Sequence, residues 1–323
     1  MINHQNEKIP QNKVLITAIG TLTATCIINA LKDMEDLYLI GADINEKENI
    51  VSSRDVREYY VFPPAVGDDE GYYRYLKDFC VDHAIRYVFC VIDEEVLNLS
   101  RHHNEFTALG IHICVPAVET VELCHFKDRF NKWMEENFSE YAIRSYQTIR
   151  DVEKYPVFVK PVEGRASIGC YKVESENELR RFASAETIIQ EYVQGRILVA
   201  DVFRNDTTGQ YGCVQREELL RNGNGCGIAV RMVADARVSA FCRDFAEKIS
   251  LNGVVNIEFF VTNSYVKVIE VNPRFSAGST YTCMCGLNLA QNALMIAQGL
   301  KCAEVPLNYI NRRFARRYET YEM

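Results

Sequence analysis

Four polar residues in the last third of the chain have the types and spacing that phosphate chemistry needs. They are Glu258 in "VNIEFFV" and Glu270, Asn272 and Arg274 in "VIEVNPRFSAGS". Both stretches read as strands, and strand side chains repeat every two residues, so Glu270, Asn272 and Arg274 project from one face. The intervening "TNSY" is turn-like, which makes the two strands antiparallel neighbours with their carboxylates facing each other. Two facing carboxylates and an amide oxygen suit a hard cation, Mg2+ or Mn2+, that takes few protein ligands and completes its shell with phosphate oxygens and water. Arg274, just beyond, would neutralise developing charge. The plainer reading pairs Glu270 with Arg274 and leaves Glu258 solvated.

A second stretch, "YPVFVKPVEGRASIGCYKV" (155–173), begins as a buried strand that delivers Lys160 at its end, where Pro161 stops the ladder by removing a donor. Gly164, Ser167 and Gly169 then space a hairpin tip whose backbone N–H groups can close on phosphate oxygens without a Cβ in the way. Lys160 adds a point charge to the same oxygens. An ordinary glycine hairpin with a solvated lysine is the competing reading. The Walker pattern GxxxxGK[ST] is absent here.

These residues need a scaffold. "KVLITAIG", "LYLIGADIN", "IRYVFCVIDEE" and "IHICVPA" are apolar strands separated by helical stretches, which predicts a parallel, doubly wound sheet with ligands at its carboxyl ends. The first turn has only Gly20, so the three-glycine dinucleotide fingerprint is not met, although Asp43 stands near the expected acidic position. Asp93, Glu94 and Glu95 read as a helix N-terminus, with a substrate role for Asp93 or Glu94 as the alternative.

Bulk composition narrows the class. The 323 residues are 48% hydrophobic and 25% charged, as in a globular protein of two or three domains. A net charge of −8 argues against nucleic acid or an anionic membrane as partner. Twelve cysteines lie scattered in apolar contexts, and Cys283–Cys285 is a weak metal candidate beside the reading of buried, reduced thiols. With no apolar run long enough to span a bilayer and no signal-peptide core in "MINHQNEKIPQNK", a cytoplasmic location is expected. A homodimer is the default assembly. The basic segment "NRRFARRYETYEM" reads as a solvated helix or tail.

Together these segments resemble the ATP-grasp superfamily, most closely its branch similar to the carbamoyl-phosphate synthase large chain. "CHFKDRF" is similar to the helix bearing the first ATP lysine, here Lys127, and "VKPVEGRASIG" to the second lysine and phosphate loop. "IIQEYVQG" resembles the hinge that holds adenine, which implies ATP contacts from Gln190, Glu191, Tyr192 and Val193. "IEFF" and "IEVNPRFSAGS" resemble the magnesium strands, implying Glu258, Glu270 and Asn272 as ligands and Arg274 as the catalytic arginine. The resemblance implies a Rossmann-like domain over 1–115, a first grasp lobe over 116–189 and a second over 190–323. It further implies an ATP-dependent, ADP-forming ligase joining a small carboxylate to an amine.

Two places depart from that pattern. Ile197 stands where related enzymes place a glutamate for the ribose, so either another carboxylate such as Asp201 or Glu191 serves or ATP binds more weakly. "REELLRNGNGCGIAVRM" has no close match; its Arg216 and Arg231 are candidates to grip a substrate carboxylate, and its Asn/Gly loop to act as a flap. The runner-up function is a regulatory nucleotide-binding protein without turnover.

Overall fold

The computed structural model describes residues 12–164, 168–223 and 225–323, so Ser167 lies outside the described residues. The chain begins with alternating strands and helices: β1 (Asn12–Ile16), α1 (Leu22–Leu31), β2 (Leu37–Asp43), β3 (Glu58–Val61), α2 (Asp69–Asp82), β4 (Tyr87–Phe89), α3 (Asp93–Arg101), α4 (His103–Ala108) and β5 (His112–Ile113). The five strands pair in parallel in the order β3-β2-β1-β4-β5. The order reverses between β1 and β4, and the crevice at such a switch point is where open α/β sheets bind ligands. Both bounding turns begin helices there. Thr21 caps α1 by accepting from Ala24 N at 3.2 Å, and Asp93 starts α3.

Asp43 is committed to its own turn: its carboxylate accepts from Gly20 N at 2.8 Å and from Asn45 Nδ2 at 2.8 Å. Strand β3, "EYYV", lies at the edge of this sheet and is too short and too exposed to stand out by periodicity.

Helices α5 (Val118–His125) and α6 (Lys127–Asn137) follow, then a four-stranded sheet from β6 (Ser145–Tyr146), β7 (Val157–Pro161), β8 (Tyr171–Val173) and β9 (Thr187–Glu191), ordered β6-β9-β7-β8. Helix α7 (Glu176–Phe182) covers its small core of Val157, Val159, Val173, Leu179 and Ile189. The rest of the chain forms a six-stranded sheet: β10 (Arg196–Asn205), β11 (Gln210–Arg221), β12 (Gly227–Val233), β13 (Gly253–Val261), β14 (Val266–Asn272) and β15 (Arg313–Ala315). Its pairings are antiparallel in the order β14-β13-β10-β11-β12-β15. One face packs under α6 and α8 (Ala236–Lys248) through Phe130, Met134, Phe241 and Phe245.

The other face shares a core with the N-terminal sheet. Ile16, Ile27 and Leu31 meet Phe203, Met232 and Tyr281, together with Leu289 and Leu294, in one buried cluster that includes α9 (Ser279–Met284) and α10 (Leu289–Ala297). Because that cluster is continuous, the two sheets hold a fixed relation across the site they enclose.

The basic C-terminal segment is a solvated tail only beyond Arg316; its first part is docked. Strand β15 pairs with β12, and Arg316 donates to Ala277 O at 2.8 Å, tying it to the turn before α9. Each cysteine is a free thiol. Among the described residues no helix is long and apolar enough to cross a membrane.

Candidate active site

Glu258 on β13 and Glu270 on β14 are register partners, so their carboxylates stand opposite each other. A β-bulge makes this possible. After Phe259 pairs with Val268, the register shifts, and Glu258 meets Glu270 with Ile269 as the extra residue. Strict alternation would have put Glu270 on the same face as the buried Val268; the bulge flips it out while Val271 turns back into the core. The carbonyl of Ile269, displaced by the bulge, accepts from Lys160 Nζ at 3.4 Å. One irregularity thus aims a carboxylate and receives a lysine.

Lys160 is 6% exposed at the end of β7. Burial pulls its ammonium down to about 8, opposed by the nearby Glu270 carboxylate and assisted by Lys127. Lys127, at the start of α6, donates to Gly164 O at 2.7 Å, so it reaches the beginning of the glycine loop. Gly169 closes that loop at φ 74°, a left-handed conformation that favours glycine.

Burial and the facing Glu270 push Glu258 up to about 7, with Arg221 acting in the opposite direction. Arg221 Nη2 donates to Glu258 Oε2 at 2.7 Å, and Arg221 Nε lies 2.7 Å from Glu218 Oε2, an ion pair without hydrogen-bond alignment. Asn272 Nδ2 lies 3.4 Å from Glu270 Oε1. The donor set suits Mg2+ or Mn2+: two carboxylates and an amide oxygen furnish part of an octahedron, and among the described residues no group of three His, Cys, Asp or Glu forms a closed cage. Glu258, Glu270 and Asn272 would hold the cation, which supplies charge neutralisation at phosphate oxygens.

Arg274 does not pair with Glu270. Its guanidinium takes both oxygens of Asp93, Nε to Oδ1 at 2.5 Å and Nη2 to Oδ2 at 3.1 Å, across 181 positions of sequence. Burial works to raise the Asp93 carboxyl, but Arg274 overcomes it and holds the group below its usual range. Asp93 therefore does not cap α3, whose first turn has no side-chain cap.

Two cavities meet at these residues. One, about 470 Å3, is lined by the hinge stretch Gln190–Gly195 with Ile143, Phe158, Ile168 and Phe260. The other, about 320 Å3, runs to Thr23, Asp93 and Glu94 at the switch point of the N-terminal sheet. Lys127, Lys160, Gly164, Glu258 and Glu270 belong to both walls. Within the hinge, Gln190 is buried, with Nε2 3.5 Å from Ile143 O, whereas Glu191, Tyr192 and Val193 are half-buried at the cavity wall.

Two expectations are corrected, those for Arg231 and Asp201. Arg231 lines neither cavity, because its guanidinium is paired with Glu217. Arg216 does line the smaller one, but it is 1% exposed and anchored to Asp201 Oδ2 at 2.8 Å and Ser276 Oγ at 3.2 Å. It therefore builds the floor and does not reach out of it. Asp201 is no ribose ligand: it is buried and also accepts from Asn256 at 2.8 Å and Thr282 at 2.6 Å. Ile197 lies outside both cavities, and Glu191 is the carboxylate at the hinge wall.

The floor depends on Gly278, where an added Cβ would stand 2.1 Å from Arg216 Nη2. Gly278→Ala is expected to push the guanidinium off Asp201 and lower stability by about 2 kcal/mol, as overpacking does. Urea unfolding checks this; an unchanged midpoint would mean the floor yields freely.

With this geometry in place, comparison with known proteins decides the family. The ATP-grasp domain family matches residues 127–278, and the PylC-like N-terminal domain family matches residues 14–114. The chain belongs to the ATP-grasp superfamily. It is 22% identical over 317 residues to the carbamoyl phosphate synthase large chain of Methanospirillum hungatei, covering 88% of this chain but 29% of that one. A 3-methyl-D-ornithine--L-lysine ligase of Methanosarcina barkeri is 25% identical over 124 residues, 38% of this chain and 33% of that one. This ATP-grasp chain thus spans a third or less of the length of these relatives.

Among solved structures, the N5-carboxyaminoimidazole ribonucleotide synthetase of Thermotoga maritima has a TM-score of 0.70 at 20% identity over 92% of this chain and 78% of that one. The biotin carboxylase domain of the Hydrogenobacter thermophilus 2-oxoglutarate carboxylase, solved with MgADP and bicarbonate, has a TM-score of 0.73 at 17% identity over 93% and 71%. These likenesses establish the fold: a Rossmann-like N-terminal domain followed by a two-lobed ATP-grasp.

Arg221, Glu218, Thr23 and the Asp93–Arg274 pair are the wall residues that sequence reasoning missed or misassigned. Arg221 follows register shifts around Leu220, so no period-two reading places it beside Glu258.

Proposed function

We propose that this ATP-grasp protein is an ADP-forming ligase that activates a small, polar carboxylate and joins it to an amine. The observation that carries the reading is the meeting of two cavities on the wall formed by Lys127, Lys160, Glu258 and Glu270. ATP occupies the larger cavity, with adenine at the hinge beside Glu191 and Val193 and its phosphates at the two lysines and the glycine loop. The acceptor occupies the smaller one. There its carboxylate oxygen attacks the γ-phosphorus, the bond to the bridging oxygen breaks, and ADP leaves. The amine then attacks the carbonyl carbon of the acyl phosphate, releasing phosphate and giving up a proton. Arg274 and the lysines stabilise charge on the transferring group. The acceptor wall carries Asp93, Glu94, Glu163 and Arg216, which favours a polar or zwitterionic acid over an apolar one.

The test is release of ADP from Mg·ATP with pooled carboxylic acids and amino acids in the presence of hydroxylamine, which captures an acyl phosphate as a hydroxamate. Hydroxamate and ADP from one pool support the ligase and identify the acid. Binding of Mg·ATP, seen as a raised melting temperature, with no ADP from any pool would sink the ligase reading in favour of a regulatory nucleotide-binding protein.

Lys160 supplies a further expectation. With its ammonium drawn down to about 8, it loses charge as pH rises through that value, and phosphate binding weakens with it. ADP affinity should fall several-fold between about pH 7 and about pH 9, and the fall should vanish in Lys160→Met. A flat profile in the unaltered protein would remove Lys160 from the phosphates.

A further inference from the structure

The Arg221 guanidinium occupies one oxygen of the Glu258 carboxylate, beside the place a cation on Glu258 would take. Its Nη2 lies 2.7 Å from Glu258 Oε2 and its Nε 2.7 Å from Glu218 Oε2, so one positive charge sits between two carboxylates. Glu258 is in turn the register partner of Glu270. A divalent ion held by Glu258 and Glu270 would face the guanidinium's positive charge at Oε2, and would have to bind beside it through Oε1, share Oε2 or displace it. Displacement has a prepared destination, because Glu218 already neighbours Arg221 and has an Oε2 with no aligned donor. Arg221 also lines the larger cavity while Glu218 lines the smaller, so a swing from Glu258 toward Glu218 crosses the wall between them.

From this geometry we infer that Arg221 is a built-in counter-ion that competes with the divalent cation for Glu258. The cation then binds well only when nucleotide phosphates add oxygen ligands of their own. The inference rests on the nucleotide-and-metal reading above. Its physical basis is charge: a nearby opposite charge within a few ångströms strongly stabilises an ionised carboxylate, and the same charge repels an incoming cation. Metal alone gains only two carboxylates and an amide and must overcome Arg221; metal with a diphosphate gains further oxygens that offset the displacement. Premature occupation of the site by a free divalent ion is thereby suppressed.

The experiment measures Mn2+ binding to the full chain, by loss of the free Mn2+ electron-paramagnetic signal, with and without ADP. The unaltered protein is compared with Arg221→Gln and Arg221→Lys, with melting temperatures reporting that each variant is folded. Without ADP, Arg221→Gln is expected to bind Mn2+ about tenfold more tightly than the unaltered chain. Arg221→Lys, whose single ammonium cannot hold both carboxylates, should fall between them. ADP should tighten Mn2+ binding strongly in the unaltered chain and much less in Arg221→Gln. Equal or weaker Mn2+ binding in both variants overturns the inference. If Arg221→Gln does not fold, Arg221→Lys decides: no tightening in it has the same meaning. Failure of the nucleotide reading is separable, since ADP with Mg2+ would then leave every melting temperature unmoved whatever Mn2+ does alone.

Discussion

Replacing Glu270 by glutamine is expected to lower metal-dependent turnover about 10²- to 10³-fold while leaving the fold intact, the loss seen when one preorganised charge is removed from a phosphoryl-transfer site. Stability should move the other way, and its pH dependence identifies the cause. Burial and then Glu270 raise the Glu258 carboxyl to about 7, above its ordinary value of 4.5. A carboxyl raised on folding contributes stability that is present below its unfolded value and lost as pH rises through the folded one. Above about pH 7 the native pair therefore holds two facing anions, relieved in part by Arg221. Glu270→Gln removes one of them, so it should gain about 1 kcal/mol over the unaltered protein at pH 8 and little at pH 5. Paired urea titrations at the two pH values, beside a turnover assay, check both halves. Unchanged turnover, or a variant destabilised equally at both pH values, would remove Glu270 from the site.

How much of this was legible in the sequence depends on whether the backbone keeps its period. The N-terminal strands are apolar runs bounded by turns, and β1, β2, β4 and β5 fall within them. The antiparallel pairing of β13 with β14 followed from two strands and a short turn, and Lys160 sits where a strand end and Pro161 locate it. Legibility stops where the period breaks. The bulge at Ile269 and the shifts around Leu220 each move a charged side chain across the sheet, and neither has a residue signature that alternation reveals. Partners far apart in sequence were equally hidden. Arg231 and Arg216 are both strand arginines in one stretch, yet Glu217 holds the first outside the cavities and Asp201 holds the second in their floor. Likewise a short acidic run at a helix start is most simply a cap, and only the packing of the N-terminal sheet against the grasp brings Asp93 to Arg274.

That last contact makes Asp93→Asn the most informative substitution in the N-terminal domain. Arg274 projects beyond Asn272, and the carboxylate that orients it comes from the other sheet, at the crevice between β1 and β4. An amide at Asp93 keeps one acceptor but turns an N–H toward the second guanidinium nitrogen, so the bidentate grip fails and a largely buried arginine loses its counter-charge. Removing one partner of a buried pair is strongly destabilising, and with both side chains still partly reached by solvent, 18% and 26% exposed, the expected cost is about 3 kcal/mol. The same change should lower kcat about 10²-fold, because Arg274 loses its aim at the transferring group. ADP affinity should hardly change, since Asp93 lies on the wall of the smaller cavity alone. A merely structural contact would reduce stability and leave kcat intact in the folded fraction, so the split between kcat and nucleotide binding separates the two. If Asp93→Asn retains full kcat, Arg274 either orients itself or lies outside the reaction. A fall in kcat with ADP binding preserved would mean that the N-terminal sheet, through one carboxylate, holds the arginine on which phosphoryl transfer depends.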